Sequence, residues 1–460
     1  MNTELYYKSP YFIKVMGASI WGLYLRWWRY GHETDELVDE FLEHDHWTPA
    51  QIDEYQEKKL GKLLWIAATQ VPYYQNYWAK RRKLGDNASW ELLDNWPILH
   101  KAEVRKNPQA FIMQAKVRRT FHKEHTSGST GTPLTLYQSR KTLHQWYALY
   151  EARVRRANGI YENEPWAIIG GQLVSSIDRN KPPYWIWNHS SHQLYLSAYH
   201  ISAANAQSYI TALKNHKIKS ITGYPSALTA LAEFVRDENL NAPVLQVIIS
   251  NAEPLFEFQR NVIREVFKCP VINTYGLSEL VCGAAECEQG SMHLWLEAGY
   301  IEIIDDENDE LVAEHQVGRI IATGFMNADM PLIRYETGDR GSIRRGKCDC
   351  GRSFPCLEKI EGRIDDVIVT PDGRKVGRLD PVFKTDIPIV EAQIIQEEIN
   401  NVRIKFIPGF GYHHDEILTR RVQERLGGMN IVLEPVENIP KGSNGKFKAV
   451  VSMIHKNDQI

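Results

Sequence analysis

Residues 126–133 contain the densest group of side chains that could bind phosphate. Their sequence is Thr-Ser-Gly-Ser-Thr-Gly-Thr-Pro, in which hydroxyl side chains surround Gly128 and Gly131. Glycine lets the backbone turn tightly and approach a ligand, and hydroxyl and N–H groups can then donate to phosphate oxygens. The segment lacks the Gly-Lys-Ser/Thr ending of the P-loop of kinases and GTPases. A flexible linker has a similar composition, so the loop alone leaves both interpretations open.

Other segments downstream carry acidic, aromatic and lysine side chains in loop-like surroundings. They are residues 251–254 (NAEP), 273–279 (NTYGLSE), 335–339 (YETGD), 362–366 (GRIDD) and 440–446 (PKGSNGK). Together with residues 126–133, and in this order, they resemble the motifs of the adenylate-forming superfamily, which includes acyl-CoA synthetases, peptide-synthetase adenylation domains and luciferases. Residues 69–74, 223–226 and 331–335 and a Cys-x-Cys-Gly knuckle resemble more narrowly the phenylacetate–CoA ligase-like group, in its capsular polysaccharide branch.

The resemblance implies roles for individual residues. Adenylation would need stabilisation of the triphosphate charge while a carboxylate approaches. The catalytic residues implied are Lys446, Glu279, which would also bind Mg²⁺, and Thr126. The ATP-binding residues implied are Ser127, Gly128, Ser129, Thr130, Gly131, Ala252, Glu253, Pro254, Asn273, Thr274, Tyr275, Gly276, Ser278, Asp339 and Arg363. The acid-binding residues expected are Tyr224, Gly170, Gly171 and Tyr275, and Asp365 would be the hinge.

Residue types alone also allow plainer roles for these side chains. Glu279 could be a surface or helix-capping carboxylate, and Asp339, placed by its sequence at a strand end, could be a turn former. Tyr275 could be a core aromatic residue and Lys446 a solvated lysine. The resemblance favours the functional roles.

The six cysteines lie between positions 269 and 356. Clustered thiols in a chain without a secretory signal favour metal over disulfides, although buried free thiols are the alternative. A similar cluster in phenylacetate–CoA ligase-like proteins favours structural Zn²⁺. The expected ligands are Cys287, His293, Cys348 and Cys350. Cys282 and Cys356 are reserves, and Cys269 is expected to be a core thiol.

Length and composition limit the remaining possibilities. A chain of 460 residues predicts more than one domain, and a formal net charge of -3 gives no case for a nucleic-acid partner. Residues 1–14 contain charges and no apolar signal core, which predicts a cytoplasmic protein. The aromatic, arginine-bearing residues 20–30 predict either a helix packed on the main domain or a peripheral membrane contact.

Alternating strand and helix patterns predict an α/β fold. We expect a large N-terminal domain of mixed open sheets over residues 1–363, with a helical N-terminus. It would include a small, cysteine-rich, β-barrel-like subdomain near 285–360. Residues 364–460 would form a small, mobile α+β C-terminal domain. The strands expected in the large domain include residues 166–170 and 244–250, with a helix over 225–237 between them.

The sequence therefore predicts a ligase that uses ATP and Mg²⁺ to activate a carboxylic acid as an acyl-adenylate, releasing pyrophosphate. The acyl group would pass to CoA or an amine, within surface or capsular polysaccharide biosynthesis. The acid would be a small molecule or a sugar carboxylate, and a homodimer is compatible with the sequence. No CoA-binding feature is recognisable, and the phosphate loop lacks the lysine found in many superfamily members. The alternatives are a catabolic aryl-acid CoA ligase of the phenylacetate type, a non-catalytic nucleotide-binding relative, and an adenylyltransferase that stops at the adenylate.

Overall fold

A computed structural model describes residues 6, 9–116, 121–125, 134–176, 178–305, 307–361, 368–376, 379–383, 387–409, 411–439 and 449–454. The helices are Tyr11–Arg29 (α1), Thr34–Glu43 (α2), Pro49–Gln70 (α3), Pro72–Lys83 (α4), Lys101–Lys106 (α5), Arg140–Tyr150 (α6), Ala203–Asn215 (α7), Pro225–Asp237 (α8), Glu257–Phe267 (α9) and Asp415–Leu426 (α10).

The strands fall into a long series before residue 362 and a shorter series after it. The first series is His122–His125 (β1), Thr135–Gln138 (β2), Trp166–Gly170 (β3), Trp185–Asn188 (β4), Gln193–Ser197 (β5), Ser220–Gly223 (β6), Val247–Ser250 (β7), Val271–Gly276 (β8), Gly283–Glu286 (β9), Met292–Leu294 (β10), Gly299–Ile304 (β11), Gly318–Gly324 (β12), Tyr335–Arg344 (β13) and Cys356–Glu361 (β14). The second is Ile368–Val369 (β15), Lys375–Val376 (β16), Ile389–Glu398 (β17), Asn401–Pro408 (β18), Asn430–Pro435 (β19) and Val450–Ser452 (β20).

One twelve-stranded mixed sheet organises the large part of the molecule. Its order is β11-β12-β13-β14-β10-β9-β8-β7-β6-β3-β5-β4. Strands β5, β3, β6, β7 and β8 run parallel to one another. From β8 through β9, β10, β14, β13 and β12 to β11, each strand is antiparallel to its neighbour. Strands β6 and β7 are buried along their whole length, as parallel strands covered by helices on both faces must be. The second half of β8 joins the two parts of the sheet.

Two helices around this sheet begin at residues that favour a helix N-terminus. Helix α3 has Pro49 as its first residue, and Thr48 and Gln51 form a capping box. Helix α8 also begins with proline, and most of its residues are buried between the sheet and neighbouring helices. None of the described helices is long and apolar enough to cross a membrane.

The C-terminal unit is a four-stranded sheet in the order β19-β18-β17-β20. Helix α10 packs on it through Leu418, Val422 and Leu426, which contact the same apolar cluster as the strands. Tyr199 of the large part belongs to this cluster too. The buried Arg374 side chain donates to the carbonyl oxygens of Tyr199 (2.6 Å), Leu426 (3.0 Å) and Arg425 (3.2 Å). The two parts therefore share an interface in this conformation.

The observed elements confirm the α/β fold class and most of the expected segments. Strand β3 and helix α8 have the predicted bounds. Strand β7 begins at Val247 and not at Val244, which is 74% exposed, so the prediction was three residues too long at that end. The expected small sheet is the antiparallel end of the large one. The predicted domain boundary at 363/364 lies outside the described residues and stays a prediction.

Candidate functional site

The expected ligand-binding residues lie at the carboxyl ends of the parallel strands. Ile169, Gly223, Ser250 and Asn273 are consecutive register partners across β3, β6, β7 and β8, so these strands end at the same level. The loops that follow begin at this edge. Open α/β sheets bind their ligands in crevices beyond the carboxyl ends of the strands. The sheet therefore brings residues 170–171, 224 and 251–254 to one edge.

A narrow cleft at this edge is formed by the residues expected to bind the acid. Its lining is Gly170, Gly171, Ala198, Tyr199, Tyr224, Ser226, Ala227 and, from the C-terminal unit, Val376. A Cβ atom on Gly170 would lie 3.4 Å from Cζ of Tyr224, a van der Waals contact distance, so the Tyr224 ring lies beside the end of β3. The cleft is bounded by both parts of the molecule, which makes its width dependent on their relative position.

The Glu253 side chain caps helix α8. Its two carboxylate oxygens accept hydrogen bonds from the backbone N–H and the hydroxyl group of Ser226, both at 3.0 Å. A carboxylate at a helix N-terminus is favoured by the helix dipole. Ala252, before it, is exposed and has a φ of 69°, so the turn presents backbone towards the edge. An adenine-binding role for residues 252–254 would thus fall to the backbone and Pro254 more than to the Glu253 carboxylate.

Tyr275 and Asp339 form a hydrogen-bonded pair between β8 and β13. The Tyr275 hydroxyl donates to Oδ2 of Asp339 at 3.0 Å. Burial, with the nearby Cys282 and Asp339, raises the pKa of Tyr275 well above its ordinary value, so the phenol stays protonated and donates. On the same strand, the Thr274 hydroxyl donates to the Ser250 carbonyl at 2.8 Å and holds β8 against β7.

The position of Asp339 corrects one expectation. It lies inside β13, not at a strand end, where the register with β12 shifts between Arg319 and Ile321. Gly338 has a φ of 84°, which glycine adopts readily, and the Thr337 hydroxyl accepts from the Asp339 N–H at 3.2 Å. A β-bulge re-aims a side chain without ending the strand. The bulge thus sets the direction of this carboxylate.

Glu279 is a buried carboxylate that accepts hydrogen bonds from two side chains. Its Oε1 accepts from the Tyr335 hydroxyl at 2.8 Å and from Lys101 Nζ at 3.1 Å. Glu279 is 5% exposed and Tyr335 fully buried. The adjacent Ser278 carbonyl accepts from the Gln138 side chain at 3.2 Å. These contacts fix the segment that follows β8 and leave Glu279 oriented before any cation binds.

Lys101 is a site residue that the sequence did not reveal. It is the first residue of helix α5, two positions after Leu99. The Leu99 N–H donates to the Arg334 carbonyl, and the Leu99 carbonyl accepts from the Glu336 N–H. This short parallel bridge to β13 carries Lys101 to Glu279. In sequence Lys101 is one of 54 basic residues, and nothing local sets it apart.

Several predicted residues lie outside the described residues. They are the whole loop 126–133, with Thr126, Ser127, Gly128, Ser129, Thr130 and Gly131, and also Arg363, Asp365 and Lys446. Strands β1 and β2 flank the loop as an antiparallel pair that ends at His125 and Thr135. The roles of these residues stay predictions.

Four potential metal ligands come together at the antiparallel end of the sheet. They are Cys287, His293, Cys348 and Cys350, and one donor atom from each lies within 4.8 Å of all the others. The Cys287 and Cys348 sulfurs are 4.0 Å apart, and Cys350 Sγ is 3.2 Å from His293 Nε2. Zn–S bonds of about 2.3 Å in a tetrahedron place sulfurs a little under 4 Å apart. The donor set and its spacing fit a closed tetrahedral site.

Two matching turns deliver three of the ligands. The carbonyls of Cys287 and Cys348 each accept from a glycine three residues later, and the N–H of each donates to a carbonyl four residues later. Those glycines, Gly290 and Gly351, have φ values of 76° and 94°. His293 Nδ1 is 3.2 Å from the Phe354 carbonyl, so Nδ1–H donates there and Nε2 stays free to bind metal. Burial lowers the pKa of His293, which favours the neutral, ligating form.

An arginine links the cluster to the N-terminal helices. Arg352 Nε donates to Asp45 at 2.9 Å, and its Nη1 lies 3.7 Å from Cys350 Sγ. Asp45 also pairs with the buried Arg153, which in turn contacts Glu297. This guanidinium therefore lies where it could offset negative charge on sulfur ligands of a bound metal.

The other three cysteines are not members of this donor set. Cys356 Sγ is 3.4 Å from Nδ1 of His293, the nitrogen that faces the Phe354 carbonyl. Cys282 is buried near Tyr275, and Cys269 lies in the apolar core under the parallel strands, as expected.

Comparison with known proteins gives homologues along the whole chain. The CapK C-terminal domain family matches residues 368–453. Protein CapK of Staphylococcus aureus is 23% identical over 99% of this chain and 100% of its own length. The phenylacetate–coenzyme A ligase of Thermus thermophilus is 26% identical over 68% of this chain and 71% of its own length.

Solved structures show the same fold. A 2-hydroxyisobutyryl-CoA ligase with a bound acyl-AMP and CoA, in its thioesterification state, covers 90% of this chain and 93% of its own, with 18% identity and a TM-score of 0.55. The same enzyme in its postadenylation state gives a TM-score of 0.54 with 19% identity, at the same coverage. The chain is thus similar to CapK along its whole length and to a phenylacetate–coenzyme A ligase over about two thirds of it, and it shares the fold of an acyl-CoA ligase.

Proposed function

We propose that this protein activates a carboxylic acid with ATP as an acyl-adenylate and transfers the acyl group to a second nucleophile. The observation that carries the proposal is the buried Glu279 carboxylate, held by Tyr335 and Lys101 at the edge where the Tyr275–Asp339 pair lies. Isolated buried carboxylates are costly, and they persist where partners or function require them. Homology to acid–CoA ligases agrees with this use of the edge.

The first half-reaction would join a carboxylate oxygen of the acid to the α-phosphorus of ATP. The bond to the β-phosphate oxygen breaks, and pyrophosphate leaves with the bonding pair. Glu279 would hold Mg²⁺, which prefers one or two carboxylates together with phosphate oxygens and would neutralise charge on the triphosphate. Lys101 would then turn from Glu279 towards a phosphate. Asp339, aimed by its bulge, would accept hydrogen bonds from ribose hydroxyls.

Residues outside the described part would complete the proposed site. The hydroxyl-rich loop 126–132 would donate to the β- and γ-phosphates. Lys446 would reach the α-phosphate and the incoming carboxylate, where a positive charge stabilises the transition state. Arg363 would contact phosphate or ribose, and Asp365 would be the pivot of the C-terminal unit between the two half-reactions.

The acid would enter the cleft between Gly170 and Tyr224. The cleft is narrow, and Val376 of the C-terminal unit forms part of its wall. The acid that we propose is a small acyl group or a uronic acid, because similarity to CapK over its full length supports a role in polysaccharide synthesis. We include a role in capsular or surface polysaccharide synthesis in the proposal. The acceptor of the acyl group in it is either CoA or an amine.

The cysteine–histidine cluster would hold a structural Zn²⁺. With four protein ligands the coordination shell is closed, so the ion would have no open position for chemistry. It would fasten the two turns at 287–291 and 348–352 to each other and, through Arg352 and Asp45, to the N-terminal helices.

Carboxylate-dependent exchange between ATP and pyrophosphate tests the activation step. The protein is incubated with labelled pyrophosphate and, separately, uronic, aryl, short-chain and amino acids. Exchange with at least one acid, lost in Glu279→Gln and kept in the exposed-surface control Glu265→Gln, supports the proposal. A protein that binds ATP but exchanges with none of these acids would instead be a nucleotide-binding relative. Mass spectrometry with CoA or amines added to an active acid then identifies the acceptor.

A further inference from the structure

Helix α1 presents large apolar side chains to solvent. Nine of its residues are large, apolar and exposed, among them Phe12 (64%), Ile20 (63%), Leu23 (60%) and Trp21 (55%). The strongly exposed positions of this helix include no charged residue, and Gly17 is their only small one. A surface helix of a globular protein normally has the opposite arrangement.

The polar groups of α1 face the protein. Lys14 is buried, and Arg26 donates to the Ser190 carbonyl at 3.0 Å and pairs with Glu162 at 2.7 Å. Gly22 lies against Asn188, whose Oδ1 would be 2.4 Å from a Cβ at that position. This close packing and the inward cations fix the rotation of the helix. The apolar face therefore points outward because the opposite face is built to dock on β4 and the turn after it.

The width of this face distinguishes between partners. At about 100° per residue, positions 12, 16, 20, 21, 23 and 27 spread over roughly half of the helix circumference. Pairing with one helix of a second copy uses a narrower seam of two positions in seven. A half-cylinder of about 28 Å length suits a flat apolar medium in which the helix lies parallel to the surface.

The side-chain chemistry points to a lipid surface. Tryptophan and tyrosine, which favour the boundary between water and hydrocarbon, supply Tyr11, Trp21, Tyr24 and Trp27 on the exposed face. A cation lies at the C-terminal end, where the Arg140 guanidinium is 4.2 Å above the Trp27 ring. At the N-terminal end, Arg179 interacts electrostatically with Tyr11. Cations beside an interfacial helix attract anionic headgroups.

We propose that α1 docks this protein on the surface of a bilayer containing anionic lipid, lying in the plane of the headgroups without crossing it. The proposal stands independently of the proposed chemistry at the carboxyl edge. It means that the cleft would work next to a membrane, where lipid-linked or membrane-bound acceptors are concentrated.

Flotation with phospholipid vesicles tests this docking. The full chain is mixed with vesicles of phosphatidylcholine alone or of phosphatidylcholine with phosphatidylglycerol. The test variant is Ile20→Asp/Leu23→Asp. The matched control is Leu84→Asp/Val244→Asp, which changes two apolar residues that are 77% and 74% exposed elsewhere on the surface. We expect binding to anionic vesicles, a loss of roughly 100-fold or more in the test variant, and no loss in the control.

A fluorescence measurement checks that the helix itself meets the lipid. Brominated acyl chains should quench tryptophan emission of the bound protein, and Trp21→Phe/Trp27→Phe should remove most of the quenching without abolishing flotation. Vesicle binding that persists in the Asp variant would overturn the proposal. Wild-type protein that binds neither vesicle type would also overturn it. A third contradicting result is a wild-type dimer that binds no lipid and that the Asp substitutions convert to a monomer. Unchanged near-ultraviolet circular dichroism shows that each variant is folded.

Discussion

Replacing Tyr335 by phenylalanine tests the proposed role of Glu279 with the smallest chemical change. The ring is fully buried and would keep its place, while the 2.8 Å hydrogen bond to Oε1 of Glu279 is lost. Hydrogen bonds to charged groups contribute about 1.5–3 kcal/mol. Because Lys101 still donates to the same oxygen, we expect a destabilisation near the lower end, about 1.5–2 kcal/mol.

The same change should slow adenylation, because the carboxylate would no longer be held in one orientation. A loss of about 1.4 kcal/mol of transition-state stabilisation corresponds to a tenfold fall in kcat/KM. The assay is pyrophosphate exchange with an accepted acid, alongside denaturant unfolding followed by tryptophan emission.

Tyr184→Phe is the matched control for this experiment. Its hydroxyl donates to Asn205 at 3.0 Å, its ring is equally buried, and it lies away from Glu279. We expect it to lower stability by about 1 kcal/mol while leaving exchange within twofold. If Tyr335→Phe also left exchange within twofold, the hydrogen bond would be structural only and the reasoning about Glu279 refuted.

Three further predictions follow from other parts of the molecule. Purified protein should contain about one zinc per chain by plasma mass spectrometry, lost in Cys348→Ser and kept in Cys269→Ser; metal retained by the first variant would contradict the proposed site. Burial lowers the pKa of His200 from 6.5 to about 4. Below pH 6.5 the His200 imidazole therefore binds a proton in the unfolded chain but stays neutral in the folded chain. The unfolding free energy should fall between pH 6.5 and pH 4 by about 3 kcal/mol at most. Denaturation at several pH values should show this slope and a flatter one in His200→Asn, and equal slopes would contradict it. Lys446→Ala should reduce adenylate formation by about two orders of magnitude or more while ATP binding, measured by calorimetry, stays nearly intact; a parallel loss of affinity would assign Lys446 to nucleotide binding.

Local sequence patterns were sufficient for the elements that carry the site. Strand β3 is a continuous apolar run between polar segments, and helix α8 begins at a proline and keeps apolar residues at helical spacing, so both have clear ends. Strand β7 was overextended because Val244 is apolar but exposed. Apolarity marks a strand only where tertiary packing covers it.

Contacts between distant segments were beyond sequence reasoning. Lys101 and Glu279 are 178 residues apart, and Arg352 and Asp45 are 307 residues apart. None of these four residues has unusual neighbours in the sequence, and their pairing depends on the order of strands in the sheet. The bulge at Asp339 was missed for a related reason, since Thr-Gly-Asp is as typical of a turn as of a bulge. The metal cluster was easier, because cysteine is rare and its spacing is informative.

Most of the hydrogen bonds of Arg374 do not depend on the large part of the molecule. Of its three carbonyl acceptors, those of Arg425 and Leu426 belong to the C-terminal unit itself, as does its carboxylate partner Asp372. Only the Tyr199 acceptor belongs to the large part. A rotation of the C-terminal unit would therefore leave the guanidinium solvated by its own unit and break one hydrogen bond, a net change of about 1 kcal/mol. The same rotation would move Val376 out of the cleft wall, so the width of the cleft would change together with this single hydrogen bond.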